Sequence, residues 1–332
     1  MAFRLSRREF VTGTLATFSL ATAAPVIGAT SPPNIPVPGT GNRIVGLGDD
    51  FEDEKWSYDS SGPKSSWNLD KKQRLPGGVS SNRKWSEAAM RGQPDVVKRI
   101  TPPGEGIPGS KGAMLLQSLH SGVPGQPSYS VQQDDFLHNS SLALHEGAMP
   151  ISWTPNVITR VYMPPFTQWE KRTGNSFGFR AGLRASHKKE KDDVLDYEEY
   201  WPGLFVWFNY NRARQGGVDS ANLLLRANQY GHDMKGPALK EKTWYTLGMS
   251  FTPDGLVHYF SREGVEALTR EDYIASYHPY GFRPRTFETF FYNTVCQDDG
   301  RTWSTPWVID DTWLCVSNAP AKQAQAKGPL FR

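Results

Sequence analysis

Residues 244–260 read Trp-Tyr-Thr-Leu-Gly-Met-Ser-Phe-Thr-Pro-Asp-Gly-Leu-Val-His-Tyr-Phe, and this stretch decides the fold class. Two runs rich in β-branched and aromatic residues, Trp244–Phe251 and Leu256–Arg262, flank the tetrapeptide Thr252–Gly255. Within that tetrapeptide Pro253 presets φ and Gly255 accepts positive φ, which favours a tight turn. The pattern therefore predicts two β-strands connected by a turn.

Runs of the same kind recur along the chain, separated by Gly, Pro, Asn and Asp. The further predicted strands are Val96–Thr101, Lys111–Ser118, Asn156–Met163, Ser176–His187, Gly203–Tyr210, Asn222–Asn228, Phe287–Cys296 and Pro306–Val316. Only Thr269–Ser276 has a helical pattern, with Thr269 as N-cap and two acidic residues in the first turn. Ten short strands with almost no helix predict a sandwich or a barrel rather than a βαβ fold.

Composition excludes several classes of protein. Of 332 residues, 38% are hydrophobic and 41 are aromatic, which is too apolar for a disordered chain. The 37 basic and 34 acidic residues nearly balance, unlike the basic stripe of a nucleic-acid-binding protein. Two cysteines are too few for a disulfide framework, and the apolar runs are too short for a polytopic membrane protein.

The N-terminus resembles a twin-arginine export signal. Ser6-Arg7-Arg8-Glu9-Phe10 precedes a weakly apolar run that ends in small residues near Gly28-Ala29. The resemblance implies that the export machinery recognises residues 1–29 and that the protein is periplasmic or secreted. The alternative is an N-terminal membrane anchor, although Thr, Ser, Gly and Pro25 interrupt the run.

The rest of the chain is expected to form one domain. Residues 30–48 are rich in Pro and Gly and are predicted to be a spacer. Residues 49–318 carry all the predicted strands, without a repeat or a second linker. Residues 319–332 form a polar tail.

The order of residues from Trp244 to Gly264 resembles the concanavalin A-like lectin/glucanase superfamily, in which a Trp, an Asp-Gly turn, a Tyr and a Gly follow one another. Asp50-Phe51-Glu52 and Val308-Ile309-Asp310-Asp311 resemble that superfamily's first and last strands. The resemblance implies an all-β, concanavalin A-like jelly-roll β-sandwich, a single domain with long loops. It implies less about function, because the superfamily includes lectins, glycan-binding modules, hydrolases and lyases.

Catalytic signatures of this superfamily are absent. The acidic run Asp192–Glu199 lacks the Glu-x-Asp-x-x-Glu spacing of laminarinase-like hydrolases, and the Gln-Ile-His motif of alginate lyases is missing. Residues 296–303 resemble an Asp box, Ser-x-Asp-x-Gly-x-Thr-Trp, with Cys at the first position. The resemblance implies a structural turn in which Asp braces the loop and Trp packs beneath it.

Strand alternation predicts a basic and aromatic face, because successive side chains on a strand point to opposite sides. If the four strands concerned share a sheet, one face carries Arg160, Tyr162, Arg180, Arg184, Trp207, Asn209 and Arg226. Aromatic planes stack on sugar rings, and Arg binds carboxylates bidentately. Gly178 and Gly182 would leave room for a ligand. The alternative is a solvated face with scattered ion pairs.

These residues suggest a carbohydrate-active enzyme that acts on an acidic glycan. In a lyase, Arg180 or Arg184 would neutralise a uronate, and the candidate bases are Tyr162, Tyr210, His187 and Tyr259. In a hydrolase, Asp196 would act with Glu198 or Glu199. The hypothesis from another class is a non-catalytic, lectin-like binding protein on the same face. In each case we expect a poly- or oligosaccharide partner, no nucleic acid, and no stable membrane insertion once the signal is removed.

Metal and thiol chemistry give three further expectations. Without an HExxH motif or closely spaced His and Cys, we expect no catalytic zinc. The resemblance implies a structural Ca²⁺ where the first and last strands meet, with Asp50, Glu52, Asp310 and Asp311 as hard oxygen ligands; simple turn and edge chemistry is the alternative. Cys296 and Cys315 bracket the Asp-box turn and would form a disulfide if their strands ran antiparallel; two buried thiols are the alternative.

Overall fold

In a computed structural model, the described residues are 35–71, 74–123, 125–140, 144, 148–188, 195–211 and 217–318. They form two antiparallel sheets, whose strands are numbered here in chain order. The predicted signal peptide and polar tail lie outside the described residues. No helix in the described part of the chain has the length and apolar character needed to span a bilayer.

The eight-stranded sheet has the order β17-β16-β15-β9-β19-β6-β5, with β1 also paired to β19. Its strands are β1 (Asn42–Asp49), β5 (Val96–Ile100), β6 (Ala113–Gln117), β9 (Pro155–Met163), β15 (Thr243–Phe251), β16 (Val257–Glu263), β17 (Tyr273–Tyr277) and β19 (Trp307–Val316).

The eleven-stranded sheet has the order β14-β13-β12-β10-β18-β7-β4-β3-β2, with β11 paired to β10 and β8 paired to β18. Its strands are β2 (Tyr58–Asp59), β3 (Val79–Ser80), β4 (Trp85–Glu87), β7 (Val131–His138), β8 (Met149–Pro150), β10 (Gly174–Lys188), β11 (Leu195–Tyr200), β12 (Gly203–Asn209), β13 (Ser220–Arg226), β14 (Asp233–Leu239) and β18 (Pro284–Gln297).

The two sheets pack face to face as a jelly-roll β-sandwich, which confirms the predicted all-β fold class. Along the described strands, the chain changes sheet after β1, β4, β6, β8, β9, β14, β17 and β18. All ten predicted strands overlap observed ones. Helical structure in the described residues is confined to short turns: α1 (Trp67–Asp70) and the 3₁₀ turns Ile151–Trp153, Phe166–Gln168, Arg270–Asp272 and Pro279–Gly281.

The core lies between the sheets and is largely aromatic. On β10, the alternate residues Phe177, Phe179, Ala181 and Leu183 are fully buried, as strand alternation predicts. Trp85 from β4 stacks on Phe136 from β7, with ring centroids 5.0 Å apart. The inward side chains of β10, β12 and β13 fill this core. The alternate side chains of the same strands therefore point to the outer face of the eleven-stranded sheet.

Two secondary-structure predictions are wrong. The predicted helix Thr269–Ser276 is a single 3₁₀ turn followed by β17, although Thr269 does form the capping box with Asp272. The residues from Tyr273 onward form the edge strand β17, which pairs with β16 and does not continue the helix. The predicted spacer is folded from residue 35 onward: β1 pairs with β19, and Val37 packs against Ile158 and Phe260 on the outer face of the eight-stranded sheet.

Of the two alternatives for the cysteines, the structure has the buried thiols, because the strands that carry them do not pair. Cys296 on β18 belongs to the eleven-stranded sheet and Cys315 on β19 to the eight-stranded sheet. Both are free and buried. The connection between them crosses the sandwich, so consecutive strands do not pair here.

The Asp-box segment forms a turn, but its side chains are not arranged as the resemblance to an Asp box implies. Asp299 accepts hydrogen bonds from the backbone N–H groups of Arg301 and Thr302, at 2.8 and 2.7 Å. Asp298, which the motif assigns to bracing the turn, is buried and instead accepts a hydrogen bond from the backbone of Ser128. Trp303 is 43% exposed and does not pack beneath the loop.

Candidate functional site

A row of polar and aromatic residues crosses the outer face of the eleven-stranded sheet at its centre; this row, in which Gly178 has no side chain, is called the groove below. Gly178 on β10 lies opposite Phe205 on β12 and opposite Asn293 on β18, and Asn293 lies opposite Asp135 on β7. This cross-strand row forms the floor of the groove.

The floor brings an amide and a carboxyl group together. Asn293 Nδ2 donates to Asp135 Oδ1 at 2.6 Å, and Gln133 donates to the same oxygen at 2.8 Å. Burial raises the pKa of Asp135, although the charges of Arg91 and Arg180 oppose the shift. Asn293 is 1% exposed, and its Oδ1 is buried without a hydrogen-bond partner among the described residues. The Asn293 amide therefore orients Asp135 and does not itself reach the surface.

Arg180 rises from the floor beside this pair. Its guanidinium donates to the carbonyl oxygen of Trp201 at 2.9 Å and lies 5.4 and 5.3 Å from the ring centroids of Phe205 and Phe291. Burial lowers the pKa of Arg180, the nearby Tyr280 and Asp135 raise it, and Arg226 and Arg91 lower it further. Arg180 forms no ion pair with any carboxylate of the described chain, so this cation remains available to an anion.

Arg226 connects the groove to a tyrosine. Its Nε pairs with Asp233 Oδ1 at 2.7 Å, and its Nη1 donates to the hydroxyl oxygen of Tyr280, also at 2.7 Å. The same guanidinium stacks between Phe205 and Tyr280, 4.9 and 5.5 Å from the two ring centroids. Tyr280 is therefore fixed at the edge of the groove by a cation.

The backbone at Tyr280 is strained. Tyr280 has φ 60°, in the left-handed region that non-glycine residues rarely occupy. Its N–H donates to the carbonyl oxygen of Asn228, and its ring covers Gly231, where a Cβ would lie 2.6 Å from Tyr280 Cε1. Glycine is required at residue 231 because of this contact and because its own φ is +75°. Sequence analysis missed Tyr280, and its only signal was a Pro-Tyr-Gly turn.

The predicted site residues divide between the two sheets. Arg180, Arg184, Trp207, Asn209 and Arg226 share the outer face of the eleven-stranded sheet, as alternation predicts. Arg160 and Tyr162 do not, because β9 pairs with β15 and β19 in the other sheet. Arg160 is held there by Asp311 at 2.9 Å, and Tyr162 packs against Trp244.

Three of the four arginines form ion pairs, as the alternative of a face with scattered ion pairs expects. Arg160 pairs with Asp311, Arg226 with Asp233, and Arg184 with both Glu199 and Glu288, at 3.3 and 2.8 Å. The partners lie between 7 and 151 residues away in sequence, and only the fold shows the pairs.

Two of the other candidate bases lie away from the groove. Tyr210 follows the end of β12 that is farthest from Arg226, and its ring centroid lies 6.4 Å from that of Phe208. Tyr259 is fully buried between the sheets, its hydroxyl donates to the Arg226 carbonyl oxygen, and burial raises its pKa far above the ordinary value. The backbone of His187 lies in β10, opposite that of Asp196. The side chains of these two residues are outside the part of the chain that the structure describes.

The glutamates proposed for hydrolysis lie on β11, beside the end of β10. Glu199 is opposite Arg184 and pairs with it, whereas Glu198 is opposite Ala185. The side chain of Asp196, their proposed partner, lies outside the described residues, so the hydrolase pair stays a prediction.

The four predicted calcium ligands do line one cavity, of about 270 Å³, on the other side of the sandwich. Glu52 and Asp310 both accept from the Ser110 hydroxyl, and Asp311 accepts from Arg160 and from the Trp313 indole. Burial, with nearby Asp311 and Glu52, raises the pKa of Asp310 to about 7. The described residues contain no group of three or more His, Cys, Asp or Glu arranged to hold a metal ion. Calcium binding stays a prediction, and melting with calcium against a chelator tests it.

Comparison with known proteins gives distant structural similarity only. No family model matches the chain, and no curated protein matches its sequence. Among solved structures, a carbohydrate esterase from the Shiga toxin-encoding bacteriophage phi24B aligns with a TM-score of 0.39 and 11% identity, over 71% of this chain and 91% of the esterase. A marine PL7 alginate lyase from Zobellia galactanivorans aligns with a TM-score of 0.34 and 11% identity, over 70% of this chain and 92% of the lyase. The family 7 alginate lyase A1-II' with a bound substrate aligns with a TM-score of 0.32 and 11% identity, over 63% of this chain and 80% of that enzyme.

Proposed function

We propose that this protein is an exported polysaccharide lyase that binds an acidic glycan in the groove on the outer face of the eleven-stranded sheet. The observation that carries the proposal is the pair of neighbouring groups in that groove: Arg180, a guanidinium without a carboxylate partner among the described residues, and Tyr280, a phenol fixed by Arg226. The export route is proposed from the sequence resemblance alone.

The first chemical requirement is neutralisation of the uronate. Abstraction of the proton on C5 leaves negative charge on the neighbouring carboxylate, and a cation or hydrogen-bond donor at that group lowers the barrier. Arg180 supplies the cation. Asp135, when protonated, supplies a second donor, and burial favours that form.

The second requirement is a base at the C5 proton. Arg226 donates to the Tyr280 oxygen, so it compensates the negative charge that this oxygen carries when it acts as a base. The phenolate removes the proton from C5, the C4–O4 bond breaks, and a C4–C5 double bond forms. The departing oxygen takes up a proton, and water can supply it.

Glycan binding itself would use the remaining polar and aromatic groups of the groove. Trp207 is partly exposed, and its indole donates to Asn209 at 3.0 Å, which fixes the ring for stacking on a sugar.

The test is a panel of uronic-acid and neutral polysaccharides incubated with the purified protein. We expect new ultraviolet absorbance from the unsaturated uronate with acidic glycans only. New reducing ends without that absorbance would indicate a hydrolase. Retention on immobilised glycan without turnover would indicate the lectin-like alternative. The proposal would be overturned if the protein neither cleaved nor retained any acidic glycan of the panel.

A further inference from the structure

A hydrogen-bonded chain of five side chains lines a second cavity, on the sheet that does not carry the groove. His258 on β16 lies opposite Ser276 on the edge strand β17. Val257 and Tyr259 point into the core, so His258 points to the outer face of the eight-stranded sheet. The cavity measures about 360 Å³ and is lined by Ile35, Thr252, Asp254, Leu256, His258, Tyr273 and Ser276.

The hydrogen bonds fix where the protons lie. Thr252 donates its hydroxyl proton to Asp254 Oδ1 at 2.5 Å, because a carboxylate only accepts. The Thr252 oxygen, 2.9 Å from His258 Nε2, must then accept from that nitrogen. Nε2 therefore carries the imidazole proton and Nδ1 is bare.

The same reasoning extends to the serine. His258 Nδ1 lies 2.6 Å from Ser276 Oγ, so the serine donates its proton to the ring. The hydroxyl of Tyr273, 2.7 Å from Ser276 Oγ, is then the donor in that contact. Ser276 thus has its proton directed at a neutral base and its lone pairs towards Tyr273 and the cavity.

Burial keeps this base neutral. His258 is 2% exposed, and burial lowers its pKa to about 4, with Asp254 opposing the shift and His278 adding to it. The hydrogen bonds from Thr252 and from the Leu256 backbone lower the pKa of Asp254, although its partial burial acts against them. The chain from Asp254 through Thr252 orients the ring as an acidic residue does in a serine–histidine pair.

We propose that Ser276 is the nucleophile of a second catalytic site, which cleaves small carboxylic esters. Ser276 Oγ attacks the acyl carbon while its proton moves to His258 Nδ1, and the alcohol leaves with that proton. Water then attacks the acyl-serine, and the carboxylic acid is released. A cavity of about 360 Å³ accommodates a small ligand, so the acyl group is short.

Tyr273 has a role in the same step. Its hydroxyl donates to Ser276 Oγ in the resting state. When that oxygen bonds to the acyl carbon, the Tyr273 hydroxyl can donate instead to the oxyanion of the tetrahedral intermediate.

The experiment is covalent labelling of the native protein with a short-chain alkyl fluorophosphonate, followed by peptide mapping by mass spectrometry. We expect one adduct per chain, on Ser276, together with slow hydrolysis of p-nitrophenyl acetate. His258→Gln should slow labelling by roughly 100-fold, because it removes the general base. No adduct, or an adduct mapped to another residue, would overturn the proposal.

Two serine variants complete the test. Ser276→Ala should abolish labelling. The control is Ser250→Ala: Ser250 lies opposite His258 on β15, and its hydroxyl donates to the Pro36 carbonyl oxygen. This variant should label at the rate of the unchanged protein. Labelling that persists in Ser276→Ala, or that is lost equally in both, would also contradict the assignment.

Discussion

A Cβ atom added at Gly178 would lie 2.7 Å from Asn293 Oδ1 and 3.0 Å from the Phe205 ring. The floor of the groove is therefore closed to any larger residue at position 178, and the position of the Asn293 amide depends on this glycine.

Gly178→Ala should displace Asn293 and the Phe205 ring. We expect destabilisation of about 1–3 kcal/mol from overpacking, together with a larger loss of glycan turnover than the stability change explains. Thermal melting and the ultraviolet assay measure the two effects. The control is Gly182→Ala on the same strand and face, whose Cβ would meet the Thr289 methyl group at 2.9 Å. Equal losses of turnover in both variants would show that the Asn293 position is unimportant.

Arg180→Lys should reduce turnover of acidic glycans by roughly 100-fold or more, because a lysine cannot reproduce the planar fork that binds a carboxylate. The matched control is Arg184→Lys, since Arg184 is already paired with Glu199 and Glu288. Steady-state kinetics of both variants give the comparison. A greater loss in Arg184→Lys would place the uronate at the β11 end of the groove instead.

Tyr280→Phe should retain glycan binding and lose at least about 100-fold in turnover, because only the proton acceptor is removed. Retention on immobilised glycan and the ultraviolet assay separate binding from chemistry. Tyr210→Phe serves as the control, since Tyr210 lies beyond the opposite end of β12 from Arg226, beside Phe208. Full turnover in Tyr280→Phe would exclude this residue as the base.

Acid should destabilise the fold through His138. This side chain is 1% exposed, its Nε2 accepts from the Gly48 backbone, and burial lowers its pKa to about 3, with Lys84 adding to the shift. Because the unfolded state binds this proton more readily, stability falls as pH drops below the ordinary histidine value. We expect a loss of roughly 2 kcal/mol between pH 7.5 and pH 5 from this group alone. The raised pKa of Asp310 acts in the opposite sense over the same range, so the test is the difference in urea unfolding between the unchanged protein and His138→Gln. An equal pH dependence in both proteins would contradict the prediction.

Thiol titration should find two free thiols per chain after denaturation. In the native state both should react slowly, because burial raises the pKa of Cys296 to about 12 and that of Cys315 to about 11. A denatured chain without free thiols would show that the two residues are oxidised.

The sequence predicted side-chain direction within strands better than it predicted strand partners. Period-two alternation correctly placed Arg180, Trp207 and Arg226 on one outer face. It wrongly added Arg160, because alternation contains no information about which sheet a strand joins. The same limit applies to Cys296 and Cys315, whose strands are adjacent in sequence and separate in space.

Tyr280 could not be predicted from the sequence because its position depends on a loop. Its ring direction follows from a left-handed backbone and from a guanidinium supplied by a strand 54 residues earlier. The Ser276–His258 contact was hidden for a related reason, since the sequence pattern predicts a helix where β17 forms.

The crossing between β18 and β19 also bears on biosynthesis. β18 lies between β10 and β7, and β19 lies between β9 and β6, so the last two strands of the described chain complete the middle of both sheets. A nascent chain that ends before residue 284 has strands for the flanks of the sandwich and nothing to join them. Hairpins such as β15–β16 can form early, whereas these long-range pairings must wait. The ribosome must therefore synthesise β19 before the sandwich can close, and until then the apolar faces of both half-sheets need protection from aggregation.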